Sequence, residues 1–413
     1  MPEPADQKRD TTWKKQATRK RRDIPLQTQR ELWGRAAGRC EFRGCNELVF
    51  KDDLTQGRSN LSTIAHIVSW TPNGPRGHET RSAQLDIDIG NLMLTCKKHG
   101  HYIDDANRVD EYPERLLLEF KREHEERVRL LTGITEDAQT RVVLLQAPVD
   151  GKDFKINERH AHQALLPLYP AEEHADLFDL SGLGLTADAP GFYPALVASL
   201  DGMTTDLLRR RGTERVRSLA VFAIAPIPLL VHFGNRLGDL QSVELFQRHR
   251  GQRNPWVWKE EEELDLFYDT IIPDPAPQDN AEASPQEAPT PVVSVSISGH
   301  VKPETIAPHV SEPVAHYQIN LPGVEDGAES GRDSLPTRAR LDAFGVEFRR
   351  VLDVVRARHG HDQVVHLFAA VPAPVAIEIG RNVKHVDPPF LVYDYQKAAR
   401  GYAPALTINE NAP

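Results

Sequence analysis

VFAIAPIPLLVHFG at residues 221–234 and LFAAVPAPVAIEIG at residues 367–380 are two copies of one pattern. In each, phenylalanine is followed by prolines four and six places on and by glycine twelve places on. This pairs Phe222 with Phe368, Pro226 with Pro372, Pro228 with Pro374 and Gly234 with Gly380, without a gap. Each copy follows a helical pattern, at about 193–212 and about 337–359, and precedes a strand pattern ending in an aromatic residue and glutamine, VELFQRH and FLVYDYQ. Helix, buried strand, Pro-containing loop, helix and strand is the grammar of a parallel α/β sheet with ligand loops at its strand ends. Two such halves, over about 161–413, are expected to pack as a pseudo-symmetric pair. Between them, residues 273–291 (PDPAPQDNAEASPQEAPTP) read as a flexible Pro- and acid-rich insert, followed by the strand patterns VVSVSISGHV and AHYQINLPG.

The loops of this repeat offer candidate ligand contacts. A Pro-x-Pro loop after a strand, with a helix starting near the glycine, would present amides to an anion, so Pro372, Gly380, Arg381 and Asn382 are expected at a phosphate. Arg248, His249, Trp256 and Trp258 in FQRHRGQRNPWVWKE combine charge with aromatic faces on which a base could stack, and Tyr395 adds another ring in the second copy. Together these residues suit a nucleotide.

The chain has 413 residues and a mass of 46.4 kDa, enough for two to three domains. Its mean hydropathy of −0.48 and 27% charged residues fit a soluble protein, and no run approaches the roughly 18 apolar residues of a membrane span. The N-terminus has no apolar central region of the kind a signal peptide carries, which points to the cytoplasm, where clustered cysteines serve as metal ligands more readily than as disulfides. Net charge is −10, yet Lys14, Lys15, Arg19, Lys20, Arg21 and Arg22 crowd the first 23 residues. Such an arm would contact nucleic-acid backbone or stand as a solvated tail.

All three cysteines lie in the first quarter of the sequence. Cys40 and Cys45 form one short-spaced pair, and Cys96 and His99 form another, the donor set of a tetrahedral zinc site. A helix over about 24–37 leads into the first pair, Gly38 and Gly44 provide the tight knuckle, and a helix over about 113–131 closes the region. A first domain is therefore expected at 24–135 and a connector at 136–160. Between the pairs stand His66 and Asn91, and His101 follows. Phosphodiester hydrolysis needs a base to activate water and a divalent cation to neutralise charge, and a strand-end histidine, an orienting asparagine and a ligand on the next helix can supply these in that order.

The segments AHIVSW, NGPRG and GNLMLTCKKHGHYID resemble the HNH (His-Me finger) nuclease family over about residues 30–110. The resemblance implies an α+β ββα-metal fold, His66 as general base, Asn91 as the middle residue, and Cys40, Cys45, Cys96 and His99 as a structural Zn2+ site. Many members place a third histidine directly after the last zinc ligand, where this chain has Gly100. His101 is then the candidate ligand of the catalytic cation, Mg2+ or another divalent ion, with Asp104 or Asp105 as alternatives. Ala65 stands where many members carry Asp or His, and Arg76 would reach phosphate or lie solvated.

The duplicated region, in turn, resembles the SAVED domain, a fused pair of CARF-like (Rossmann-like) sensor modules, over about residues 160–405. HNH followed by SAVED is the arrangement of nuclease effectors in CBASS, a bacterial anti-phage system. That implies a double-stranded-DNA endonuclease switched on by a cyclic dinucleotide or related cyclic oligonucleotide through homo-oligomerisation, with a tetramer as the expected active form. Two other functions fit the same residues: a restriction-like nuclease that recognises modified DNA, and a non-catalytic, nucleotide-responsive DNA-binding regulator.

Overall fold

The computed structural model describes residues 23–52, 55, 57–184, 189–213, 218–238, 242–259, 268–274, 289–324 and 334–410. The basic arm and most of the 273–291 insert lie outside the described residues. The chain divides into two compact units, Met1–Ile134 and Thr135–Pro413.

The first unit contains α1 (Leu26–Arg35), β1 (Ser62–His66), α2 (Arg81–Leu85), β2 (Leu92–Cys96), α3 (Lys97–Asp104) and α4 (Glu114–Thr132). β1 and β2 pair antiparallel from Ser62 opposite Cys96 to His66 opposite Leu92, and α3 leaves β2 without a loop. The order is β, β, α. The helix lies very close to the hairpin, for a Cβ added to Gly100 would stand 2.8 Å from the Thr95 hydroxyl and 2.9 Å from Thr63 Cβ. Leu117, Phe120 and His124 recur at helical spacing on the buried face of α4. Two small apolar clusters result, one around Leu32, Val49, Leu92 and Leu94, the other around Ile67, Met93, Ile103 and Leu117.

The second unit takes in the whole segment expected to be a connector. It comprises β3 (Gln139–Gln146), α5 (Glu158–Ala164), β4 (Tyr169–Pro170), β5 (Asp176–Asp179), α6 (Phe192–Thr213), β6 (Leu219–Ile224), α7 (Ile227–Leu237), β7 (Val243–Phe246), β8 (Asp269–Ile271), β9 (Thr290–Ser296), α8 (Pro303–Ile306), β10 (Val314–Asn320), α9 (Arg338–His359), β11 (Val365–Ala370), α10 (Ala373–Asn382), β12 (Phe390–Gln396) and β13 (Gly401–Ile408). The connector at 136–160 is thus corrected: β3 is an interior strand, flanked by β6 on one side and by β4 and β5 on the other. Its run RVVLLQ is buried on both faces, so it carries no alternation by which a strand could be recognised.

The two halves repeat one parallel order, β5-β3-β6-β7 and β10-β9-β11-β12, and the second adds antiparallel edges β8 and β13. In each half the first strand lies between the second and third, which makes a topological switch point. The repeated glycines mark where α7 crosses α10. A Cβ on Gly234 would stand 2.0 Å from the Ile377 carbonyl oxygen, and one on Gly380 would stand 1.9 Å from that of Val231. Only two bare backbones can approach so far. Around this crossing Val143, Leu145, Phe233, Val293, Phe344 and Ile377 share one buried core.

Candidate functional site

In the first unit, Cys40, Cys45, Cys96 and His99 converge, with one donor atom from each within 4.8 Å of all the others. His99 Nδ1 is 3.2 Å from Cys96 Sγ and 3.7 Å from Cys40 Sγ, close to the roughly 3.6 Å that separates sulfur and nitrogen donors on a tetrahedral ion with bonds of about 2.0–2.3 Å. Gly38 and Gly44 take the left-handed backbone (φ 63° and 84°) that the knuckle around the first pair requires. The His99 ring lies flat on Phe42 at 4.2 Å, and Phe42 meets Phe120 edge-on. Burial pushes the thiols of Cys40 and Cys96 up and the imidazole of His99 down. Three thiols and one imidazole nitrogen at these separations fit a metal ion such as zinc.

His66 ends β1 and is buried. Its Nε2 stands 2.8 Å from the Asp86 carbonyl oxygen. A carbonyl can only accept, so Nε2 carries the proton and Nδ1 the lone pair. Asn91 is buried as well, but its amide is committed to backbone: Oδ1 accepts from Val68 N at 2.7 Å, and Nδ2 donates to the carbonyls of Val68 at 2.9 Å and Leu85 at 3.1 Å. Asn91 therefore shapes the site as a positioning residue, clasping the chain just after His66 to the chain just before Asp86.

His101 is exposed on α3, one turn before Asp104. Asp104 is half exposed; the protein packed about it pushes its carboxyl up, while Arg76, His66 and His101 pull it back down. Among the described residues, His66, His101 and Asp104 do not close into a ligand cluster as the cysteines do. Gly100 could not be a histidine in this packing, since any side chain there would strike Thr63 and Thr95. Arg76 neither reaches outward nor lies solvated. It is buried, donates to the carbonyls of Ile67 at 2.5 Å and Ile103 at 2.6 Å, and pairs with Asp104 at 3.1 Å. A larger groove of about 720 Å³ runs along α1 and α4, but neither His66 nor the Cys/His cluster lines it.

In the second unit, a cavity of about 310 Å³ opens where both switch points meet. Val149 after β3, Ile224 and Ala225 at the end of β6, Ser298 after β9, and Val371 after β11 line it, with Ile227 and Ala373 opening α7 and α10. Gln247, Arg248, His249 and Arg250 form its basic wall, and Phe154, Ser334 and Pro372 also face it. Two arginines with the first residues of two helices make a place for an anion.

Of the expected ligand contacts, Arg248, His249 and Pro372 line this cavity, and the others do not. Trp258 meets the His249 ring edge-on at 5.7 Å, behind the wall, and Trp256 is buried edge-on to Phe222. Tyr395 is exposed beside Tyr402. Gly380, Arg381 and Asn382 lie at the C-terminal end of α10, the wrong pole for an anion and about 10 Å along the helix from Ala373. There Gly380 makes the crossing, Arg381 pairs with Glu378 at 2.9 Å, and Asn382 accepts from Arg349 at 2.6 Å. The helices start directly after Pro226 and Pro372, and proline in a first turn was the signal that they begin there and not near the glycine. Ser298, Ser334 and Phe154 carried no such signal.

Residues 200–408, just over half of the chain, match the family model described as the SMODS-associated and fused to various effectors sensor domain (SAVED). Among solved structures, the Acinetobacter baumannii Cap4 SAVED/CARF-domain containing receptor with the cyclic trinucleotide 3'3'3'-cAAA is similar at 13% identity and a TM-score of 0.42, covering 72% of this chain and 60% of its own. The Moraxella osloensis Cap4 SAVED/CARF-domain containing receptor is similar at 12% identity and a TM-score of 0.36, covering 81% and 71%. The chain thus spans about 60% of the length of the Acinetobacter receptor. No match to a curated protein was found. Among the described residues, no helix is long and apolar enough to cross a membrane.

Proposed function

The chain belongs to the SAVED family, and from that premise we propose that it is a messenger-gated, metal-dependent endonuclease of double-stranded DNA that acts in CBASS anti-phage defence in the cytoplasm. A cyclic oligonucleotide, the ligand class bound to the Acinetobacter receptor, enters the 310 Å³ cavity with its phosphates toward Arg248 and Arg250. Binding favours a homo-oligomer, expected to be a tetramer, through the ligand's higher affinity for the assembled state.

The observation that carries the nuclease reading is the fixed tautomer of His66 at the end of the β, β, α hairpin. With Nε2 tied to the Asp86 carbonyl, Nδ1 is the base. It takes a proton from water as the water oxygen bonds to phosphorus; the bond from phosphorus to the leaving deoxyribose oxygen breaks, and that oxygen takes a proton from solvent. A divalent cation held by His101, with Asp104 or Asp105, would offset charge on the phosphate and the leaving oxygen. Zinc held by Cys40, Cys45, Cys96 and His99 would pin the knuckle to β2 and α3 and take no part in the chemistry.

The test is supercoiled plasmid incubated with the full chain, Mg2+ and a panel of cyclic di- and trinucleotides. Strand breaks are expected with one messenger class only, lost in His66→Ala and weakened at least tenfold in messenger potency by Arg248→Ala. Cutting that persists in His66→Ala overturns the mechanism. The tight seat of Gly100 favours a second reading, a nucleotide-responsive DNA-binding regulator, because it closes the position where many HNH members carry a histidine. Messenger-dependent DNA binding without breaks would establish that reading.

A further inference from the structure

We propose that Asp86 is a second positioning residue of the nuclease, placing a carboxylate behind His66 that no neighbour in sequence provides. The inference rests on the nuclease reading of the first unit. Ala65 cannot supply such a group, and Asp86 does so from twenty residues downstream. It directly follows the short helix α2, is fully buried, and holds its Oδ1 3.6 Å from His66 Nε2 while its own carbonyl takes the hydrogen bond at 2.8 Å. At 3.6 Å the carboxylate acts by charge and not by hydrogen bonding.

These two oxygens do different work. The carbonyl selects the tautomer, leaving the lone pair on Nδ1. The carboxylate stabilises the imidazolium that forms when Nδ1 accepts the proton of the attacking water. Asn91 holds both in place, since its Nδ2 donates to the carbonyl of Leu85, the residue before Asp86, and to that of Val68, two residues after His66. The route is therefore Asn91 to the Leu85–Asp86 peptide to His66.

Other charges face the same ring. Arg76, in the loop after β1, donates to the His66 carbonyl at 3.5 Å and to Asp104 at 3.1 Å. Asp104 on α3 interacts through space with His66 and with His101. Arg76 opposes a positive His66 and is itself offset by Asp104, so the Asp86 carboxylate adds to a nearly balanced pair.

The experiment uses the activated full chain and compares Asp86→Asn with wild type and His66→Ala in plasmid cleavage across pH. Asp86→Asn keeps the backbone carbonyl and the side-chain shape. It is expected to lower kcat by about 10- to 100-fold with KM for DNA unchanged. The acidic limb of the pH–rate profile is expected to move to lower pH, because removing a negative charge lets His66 lose its proton more easily. An unchanged kcat and limb in Asp86→Asn overturns the role of the carboxylate, whereas activity in His66→Ala overturns the nuclease reading itself. Should Asp86→Asn fail to fold, imidazole nitrogen chemical shifts of the wild-type full chain, with His66 identified by its loss in His66→Gln, decide the matter. A His66 titration that lies above the ordinary imidazole value near 6.5 and follows the acidic limb of cleavage supports the proposal, and one at or below that value overturns it.

Discussion

The two units hold their folds together by different means. In the first, two small apolar clusters accompany a convergence of three thiols and an imidazole, and under the zinc reading proposed above much of the order around the hairpin would depend on a bound ion. In the second, one extensive core surrounds two helices whose backbones touch at Gly234 and Gly380. A fold held by donors can be released by a chelator, whereas a fold held by close contact yields only to added bulk. Each unit therefore has a perturbation to which the other should be indifferent.

The largest effect expected is metal removal. Structural zinc contributes about 10 kcal/mol to small domains, so a strong chelator, or Cys45→Ser, should abolish amide-exchange protection in residues 24–134 and leave that of β9 and β11 intact. Unchanged protection of β1 and β2 without bound metal would break the contrast.

Next comes the helix crossing. Gly→Ala in an exposed helix interior stabilises by about 1 kcal/mol, but Gly234→Ala should destabilise the second unit by about 3 kcal/mol, because the new methyl would stand 2.0 Å from the Ile377 oxygen. Calorimetry would resolve this as a lower transition for the second unit with the first unchanged. A raised transition would show that the helices part readily.

The smallest effect is a pH dependence of the second unit. Burial depresses His316, His359 and His366, and each makes a neutral hydrogen bond, to Ser294, Tyr317 and Tyr393 respectively. A histidine whose folded value lies below its unfolded value near 6.5 contributes stability that is present above that pH and is lost as pH falls toward the folded value. The melting temperature of the second unit should accordingly decline below about pH 6.5, and His366→Phe should flatten part of that decline.

Legibility in the sequence followed the range of the interactions. The Phe, Pro and Gly spacing of the repeat and the helical periodicity ahead of each copy are local, and they located α6, α9 and the strands that follow them, but they started the next helices near Gly234 and Gly380, whereas α7 and α10 begin directly after Pro226 and Pro372. The short-spaced cysteine and histidine pairs were equally plain, because two donors on one knuckle are neighbours in the chain. What was hidden depends on where distant backbone runs. Nothing near Arg76 announces that it will cap carbonyls at residues 67 and 103, and Asp86 reads as one more polar residue in QLDIDIGN until α2 brings it beneath His66. Gly380 was visible but misplaced in purpose, since its spacing records a crossing with α7, and an anion would lie at the other end of its helix.

That crossing also constrains how the duplicated region can change over time. Two glycines that face each other's backbone cannot vary independently, because a side chain gained by one half must be absorbed by the main chain of the other. The strand-end loops escape this restriction. Arg248, Arg250, Ser298 and Ser334 line the cavity away from the two glycines, so an exchange at any of them asks no matching change at Gly234 or Gly380. The repeat thus sets a fixed hub beside an adjustable lining, and new ligand preferences can be acquired one lining residue at a time.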